Sequence, residues 1–322
     1  MNRNLNYEHV FNTVTESLAT YVKKCHLETC ILGISGGIDS TVVAAIAHKV
    51  SERTGVKLIG VSLMCNTNEN DEITTADLVG KEFCDEYYKE NIQSVYEVMS
   101  KFFIDSEATK HQSTPISEGN IKARIRMTYL WNLGGLRNGV VLDTDNMTEH
   151  NLGFWTIMGD SNYITPIGEL WKTEVYKLAQ YMLTNVYVGS EAIKQSMALV
   201  PTDGNGVAAG GDLAQIGGKS FDEVDDILYS WYSLCDSSKK FFMADGLTDS
   251  IKGTNFDVEK EGSKSLRIEK CKNEGIEFVP TLGDKYGVDL VKRIIKRSIA
   301  SDFKRKKLPL VIDINNGKIK EN

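Results

Sequence analysis

Apolar residues along the chain follow two spacings in turn. Val10, Phe11, Val14, Leu18 and Tyr21 recur at helical intervals and predict an amphipathic helix over 7–24. A compact apolar run from Cys30 to Ile34 reads as a buried parallel strand that stops at Ser35-Gly36-Gly37. Helical spacing resumes over about 38–53, until Gly55 ends it. Lys57 to Met64 reads as the second strand, about 72–88 as a helix, and Ile92 to Val98 as a third, shorter strand. Residues 104–117 are polar and turn-rich and read as a mobile loop. Ile121, Ile125, Met127, Leu130 and Trp131 then give a helix that buries one side, on which Lys122, Arg124 and Arg126 cannot all share a face. Gly139 to Asp143 is a further apolar run, and Thr144 opens a second passage from strand to helix. Strands alternating with helices in this way predict an α/β fold built on a parallel, doubly wound sheet. Ligands of such sheets sit at the carboxyl ends of the strands.

Beyond the sheet the pattern turns helical. Residues 201–212 are glycine-rich without periodicity, either a loop that closes over a ligand or a plain linker. Phe221 to Trp231 predicts a helix with an acidic outer face. Residues 235–285 are polar and poorly periodic, an insertion with no assignable role. The last helix, about 287–302, turns Val288, Leu290, Val291, Ile294, Ile295 and Ile299 inward and Lys292, Arg293, Lys296 and Arg297 outward. We therefore expect one main domain over 1–233, an insertion over 234–285, and a carboxyl-terminal helix and basic tail over 286–322 that complete the same domain.

Composition narrows the class. The 322 residues are 41% hydrophobic and 25% charged, enough for a proper core. No run of eighteen apolar residues exists, so no membrane helix is expected, and the first residues lack a hydrophobic signal core. Six cysteines show no Cys-x-x-Cys pair and read as reduced thiols of a cytoplasmic protein. A net charge of −7 disfavours a dedicated nucleic-acid surface, although Lys304 to Lys307 form a short basic run.

The chemistry concentrates where strands become helices. In Ser35-Gly36-Gly37-Ile38-Asp39-Ser40, two glycines let the backbone turn sharply and approach a ligand. The hydroxyls of Ser35, Ser40 and Thr41 and the amino-terminus of the following helix add donors, a cradle for phosphate or pyrophosphate. Asp39 would repel phosphates unless a cation lay between, which argues for Mg²⁺. Glu149 stands one turn into the helix after the other strand. It reads either as a first-turn carboxylate favoured by the helix dipole or as a partner of Asp39 on the same ion. No Gly-Lys-Ser/Thr follows the loop, so it is not a Walker loop. It resembles the pyrophosphate loop of the N-type ATP pyrophosphatases, which cut ATP between its α and β phosphates.

A longer series makes the resemblance specific. Glu118-Gly-Asn-Ile-Lys-Ala-Arg-Ile-Arg-Met127, Thr144-Asp-x-x-x-Glu149, Gly153-Phe-Trp-Thr-x-x-Gly-Asp160, Pro166-Ile-Gly-x-Leu-x-Lys172 and Val200-Pro-Thr202 are similar, in this order, to the motifs of ammonia-dependent NAD synthetases. The similarity runs over about 7–233 and returns near 286–310. It implies a homodimer that amidates deamido-NAD with ammonia at the expense of ATP, through an acyl-adenylate, releasing AMP and pyrophosphate. It places Mg²⁺ on Asp39 and Glu149, and ATP on Gly33, Ile34, Ser35, Gly36, Gly37, Ile38, Asp39 and Ser40 with Thr144, Lys172 and Thr202. Deamido-NAD falls near Arg124 and Lys304. Lys172 would neutralise charge on the transferring phosphates. Asp160 would hold ammonium and take its proton, or simply cap its loop.

The chain also departs from that family. Ile157 stands where the family often carries a Lys, Phe303 where it carries a His, and Tyr163 in the region of a second Asp. An ATP-contacting Arg in the loop after the second strand is replaced near Ser62. These changes keep open a related pyrophosphatase that modifies tRNA or amidates a different carboxylate. Only 28 residues precede the first strand, and His26, the one histidine close to cysteines (Cys25 and Cys30), sits just before a buried strand and reads as packing, so ammonia rather than glutamine is the expected nitrogen donor.

Overall fold

The computed structural model describes residues 3–160, 164–201, 211–233, 278–305, 310–312 and 319–321. Thr202, Tyr163, the glycine-rich stretch over 202–210 and most of 235–285 lie outside the described residues. The described chain forms two compact units, Asn2–His150 with Phe154–Gln215, and Asn151–Gly153 with Ile216–Asn322.

The first unit is a parallel sheet with helices on both faces. Its strands are β1 (Thr29–Gly33), β2 (Lys57–Met64), β3 (Glu86–Asn91) and β4 (Gly139–Val141), in the order β3-β2-β1-β4. Alternation across the pleat feeds two cores. Cys30, Leu32, Leu58 and Val140 face the core shared with α1 (Tyr7–Lys24), α2 (Ile38–Thr54) and α7 (Lys172–Asn185). Ile31, Ile59, Val61 and Val141 face a smaller core with Ile121, Ile125 and Leu130 of α5 (Pro115–Leu136). A sheet buried on both sides explains why its central strands read as continuous apolar runs.

The third strand is not the expected one. Ile92 to Val98 does not pair; α3 (Asn70–Phe83) ends early and the polar stretch Glu86–Asn91 forms the edge. Its side chains Lys89 and Glu90 are exposed, as suits an edge strand that must not pair further. Gln93–Ile104 becomes α4 instead. The expected loop over 104–117 also yields its end to α5, which starts at Pro115. Thr114 caps it by accepting the Ser117 N–H at 3.1 Å, and proline at the first helical position has no N–H to leave unpaired. Trp131, expected inward, is exposed.

In the second unit, α8 (Phe221–Ser233), α9 (Phe278–Tyr286) and α10 (Val288–Ala300) bury Val224, Ile227, Leu228, Val291, Ile294 and Ile295 together with Trp231. A hairpin of β5 (Leu310–Ile312) and β6 (Ile319–Glu321) follows. Arg293 and Arg297 are not simply outward. They donate to the carbonyls of Ile216 at 3.1 Å and Leu152 at 3.0 Å. Val288, expected inward, is exposed. Among the described residues no helix is long and apolar enough to cross a membrane.

Candidate active site

The strand order creates the site. From β1 the chain proceeds outward through β2 to β3, then returns to the other side of β1 as β4. The crevice at such a reversal, beyond the carboxyl ends of the two strands, is where open α/β sheets bind ligands. The segment after β1 carries Asp39, and the segment after β4 carries Glu149.

After β1, Gly33 and Ile34 complete the strand, and the Ile34 N–H still donates to Val61 at 2.9 Å. The Ile34 and Ile38 side chains are buried in the core, so only their backbone can face a ligand. Ser35 is exposed and its hydroxyl lies 3.1 Å from that of Ser40. Gly37 is the N-cap of α2, and its carbonyl accepts the hydroxyls of Ser40 and Thr41, each at 3.0 Å. Gly36 has a demand of its own. Its φ is +86°, and a Cβ there would lie 2.5 Å from the Glu72 carbonyl oxygen of α3. The close approach of α3 thus fixes this glycine independently of any phosphate. Gly36→Ala is expected to cost about 3 kcal/mol or more, from left-handed strain plus the clash, read as a lower denaturant midpoint.

After β4, Asp143 is buried and accepts the Asp145 N–H at 2.9 Å and the Thr165 hydroxyl at 3.0 Å. Thr144 and Asp145 are half-buried. The short helix α6 (Met147–Leu152) begins with a reciprocal cap. The Asn146 side chain accepts the Glu149 N–H at 3.0 Å, and Glu149 Oε2 accepts the Asn146 N–H at 3.3 Å. Asn146 Nδ2 also donates to Asp39 Oδ1 at 2.9 Å, joining the two segments.

Lys172 stands between the two carboxylates. It is the first residue of α7, and its N–H donates to the buried Thr148 hydroxyl at 2.8 Å. Its ammonium contacts Glu149 Oε1 at 2.9 Å and is in direct contact with Asp39 Oδ2. Burial pushes the Glu149 carboxyl well above its ordinary range and the Asp39 charge adds to that, against the pull of Lys172. For Lys172, burial would favour the neutral amine, but Asp39 and Glu149 outweigh it and raise the ammonium pKa. Asp145 is likewise raised, first by burial and then by the charges of Asp143, Asp160, Glu149 and Asp39. The site is therefore crowded with acidic groups, and its two central carboxylate oxygens converge on one cation. Among the described residues no group of three or more His, Cys, Asp or Glu is placed to hold a metal. Two carboxylates are still a suitable set for Mg²⁺, which commonly takes one or two from the protein and the rest from water and substrate phosphates.

The other expected residues separate. Asp160 Oδ2 accepts the Thr156 N–H at 2.8 Å, so it does cap its loop. Arg124 is exposed and donates to the Ile157 carbonyl at 3.3 Å. Ser62 lies buried within β2, inside the sheet and not in the loop after it. Lys304 belongs to the second unit, where it donates to the Gly153 carbonyl at 2.8 Å, and Arg305 donates to the Asn151 and Ser298 carbonyls at 2.9 and 2.8 Å. Half of the basic run is thus occupied with backbone. Sequence reasoning missed Asn146 and Thr148; the one available signal was the cap pattern Asn146-x-x-Glu149.

Comparison with known proteins identifies the family. The profile of the NAD synthase family matches residues 10–237. The NH(3)-dependent NAD(+) synthetase of Campylobacter jejuni subsp. doylei is 31% identical over 180 residues, 55% of this chain and 69% of that one. The enzyme of the same name from Chlorobaculum tepidum is 30% identical over 210 residues, 65% of this chain and 69% of its own. Among solved structures, an NMN synthetase from Francisella tularensis superposes with a TM-score of 0.66 at 22% identity, covering 96% of this chain and 99% of that one. An NH3-dependent NAD synthetase from Campylobacter jejuni, in complex with the nitrate ion, gives 0.60 at 21% identity over 96% and 100%. The two superpositions establish the fold, and the profile match over most of the length places this chain in the NAD synthase family.

Proposed function

We propose that the chain forms NAD⁺ by ATP-dependent amidation of deamido-NAD with ammonia, through an acyl-adenylate, releasing AMP and pyrophosphate. The observation that carries this reading is the convergence of Asp39 and Glu149 on one cation, beside the glycine loop of α2, in a member of the NAD synthase family. In the first half-reaction the substrate carboxylate attacks the α-phosphate of ATP. The N–H groups at the start of α2 and the Ser35 and Ser40 hydroxyls receive the departing pyrophosphate, with Thr144 beside it. Asp39 and Glu149 would hold Mg²⁺, which supplies charge neutralisation to the phosphates. Lys172 adds a second positive charge at the same place. Arg124 contacts the dinucleotide.

In the second half-reaction ammonia attacks the acyl-adenylate and AMP leaves. Asp160 has one oxygen committed to Thr156, and we assign its charge to holding ammonium and taking its proton. Asp160→Asn keeps an oxygen for that loop bond while removing the charge. It should leave adenylation intact and slow amide formation by roughly 10²-fold at limiting ammonium. Unchanged turnover there would remove Asp160 from the mechanism.

The deciding assay combines protein, ATP, Mg²⁺, NH₄⁺ and deamido-NAD and measures NAD⁺ and AMP together. Equal yields of both are expected, with rates rising with pH as the NH₃ fraction grows. Formation of neither would overturn the reading. Ile157, apolar where the family often carries a lysine, is a reason to run nicotinate mononucleotide in parallel; preference for that shorter carboxylate would move the substrate assignment and keep the chemistry.

The homodimer is proposed through α4. Val95, Val98 and Phe102 share one side of this helix at i, i+3 and i+7, and Val98 and Phe102 are 72% and 69% exposed. Sedimentation should give twice the 35.9 kDa chain mass, and Val98→Asp should give monomers. A stable monomer for the unmutated protein would end this assignment.

A further inference from the structure

We propose that Asn146 is a positioning residue that aims the two acidic ligands at a single divalent ion. The proposal rests on the reading of Asp39 and Glu149 as the magnesium pair and adds to it the group that sets their geometry. Asn146 is fully buried, and three of its groups are committed. Its Nδ2 donates to Asp39 Oδ1 at 2.9 Å, its Oδ1 accepts the Glu149 N–H at 3.0 Å, and its own N–H donates to Glu149 Oε2 at 3.3 Å.

The orientation of the amide is fixed by its neighbours. An ionised carboxylate oxygen only accepts and a backbone N–H only donates, so the NH₂ must face Asp39 and the carbonyl oxygen must face Glu149. The consequence falls on the remaining oxygens. With Asp39 Oδ1 and Glu149 Oε2 occupied by Asn146, the oxygens that remain are Asp39 Oδ2 and Glu149 Oε1. Those two meet on the same ammonium, that of Lys172. A cation able to reach one reaches both. Two carboxylates on different segments, one after β1 and one after β4, would otherwise turn apart under their mutual repulsion.

Side chains of similar or smaller size that lack the amide do not do the same work from this position. Aspartate accepts from the Glu149 N–H but cannot donate to Asp39. Serine can cap the helix but is one atom too short to reach across. Leucine has neither group. Groups that hold metal ligands in place from behind typically change metal affinity 10- to 100-fold when removed.

The test uses Mn²⁺ as the probe, titrated by electron paramagnetic resonance into the full chain in the presence of ATP. Asn146→Ser keeps a residue suited to an N-cap and deletes the donor to Asp39. We expect its Mn²⁺ affinity to fall roughly tenfold while its melting temperature stays close to that of the unmutated chain. In turnover, the metal concentration for half-maximal rate should rise by the same factor, with kcat largely restored at saturating metal. Asn146→Gly, also tolerated at an N-cap, serves if the serine variant does not fold. Unchanged Mn²⁺ affinity in a folded variant overturns the proposal alone. Loss of the fold in both variants also overturns it, because Asn146 would then be a structural cap. Absence of Mn²⁺ binding by the unmutated protein with ATP would remove the magnesium reading itself, and this proposal with it.

Discussion

Asp39→Ala and Glu149→Ala should each lower NAD⁺ formation by roughly 10³-fold and leave the fold nearly as stable as before. The charge arithmetic of the site explains the second half. Asp39, Glu149 and Lys172 form a buried cluster of two carboxyl groups around one ammonium. Removing either carboxylate leaves a neutral pair, with the Lys172 ammonium still bonded to the remaining acid. The activity loss comes from the other side of the balance, since one carboxylate cannot hold a divalent ion firmly against polyphosphate. Excess Mg²⁺ or Mn²⁺ should therefore restore part of the rate. Turnover at the unmutated level in either variant, with deamido-NAD and ammonium, would refute the assignment.

How far this site could be read in advance depended on which physical signal each residue left in the chain. The passage from β1 into α2 is legible because the apolar period changes sharply at Ser35-Gly36-Gly37, and a doubly covered strand has no polar face to blur it. Glu86–Asn91 is not legible as a strand, because an edge strand with solvated side chains carries no alternating apolar signal. Ile92 to Val98 misleads for the opposite reason. Its apolar residues are those of α4, several of them exposed, so hydrophobicity there does not report burial in a sheet.

The same limit applies inside the site. Asp39 and Glu149 stand out singly, but their meeting follows from the order β3-β2-β1-β4, a long-range fact. Asn146 could be read only as a helix cap, because its bond to Asp39 spans 107 residues of sequence. Sequence alone suggests Lys172 as a cation for phosphates, which is an expectation. Its contacts with both acids, across 133 and 23 residues, depend on how the start of α7 docks on α6.

Those contacts give Lys172→Met an effect opposite in kind to the carboxylate variants. Methionine fills a similar volume, so packing around the buried α7 start should survive. The charge balance does not, because Asp39 and Glu149 are left facing each other without a cation. Depriving a buried charge of its partner costs about 3–5 kcal/mol, and both carboxylates here are mostly shielded from water, with side chains 15% exposed. For a chain of 322 residues that corresponds to a melting temperature lower by roughly 4–7 °C. Asp39 and Glu149 would still be able to hold a divalent ion, which would supply the positive charge lost with the ammonium. Mg²⁺ with pyrophosphate should therefore recover most of the lost melting temperature in Lys172→Met, and should raise that of the unmutated chain much less. Activity should still fall by roughly 10²-fold with metal present, since the second positive charge at the phosphates is gone. A Lys172→Met protein that melts like the unmutated chain without divalent ions would show that Lys172 does not balance this pair.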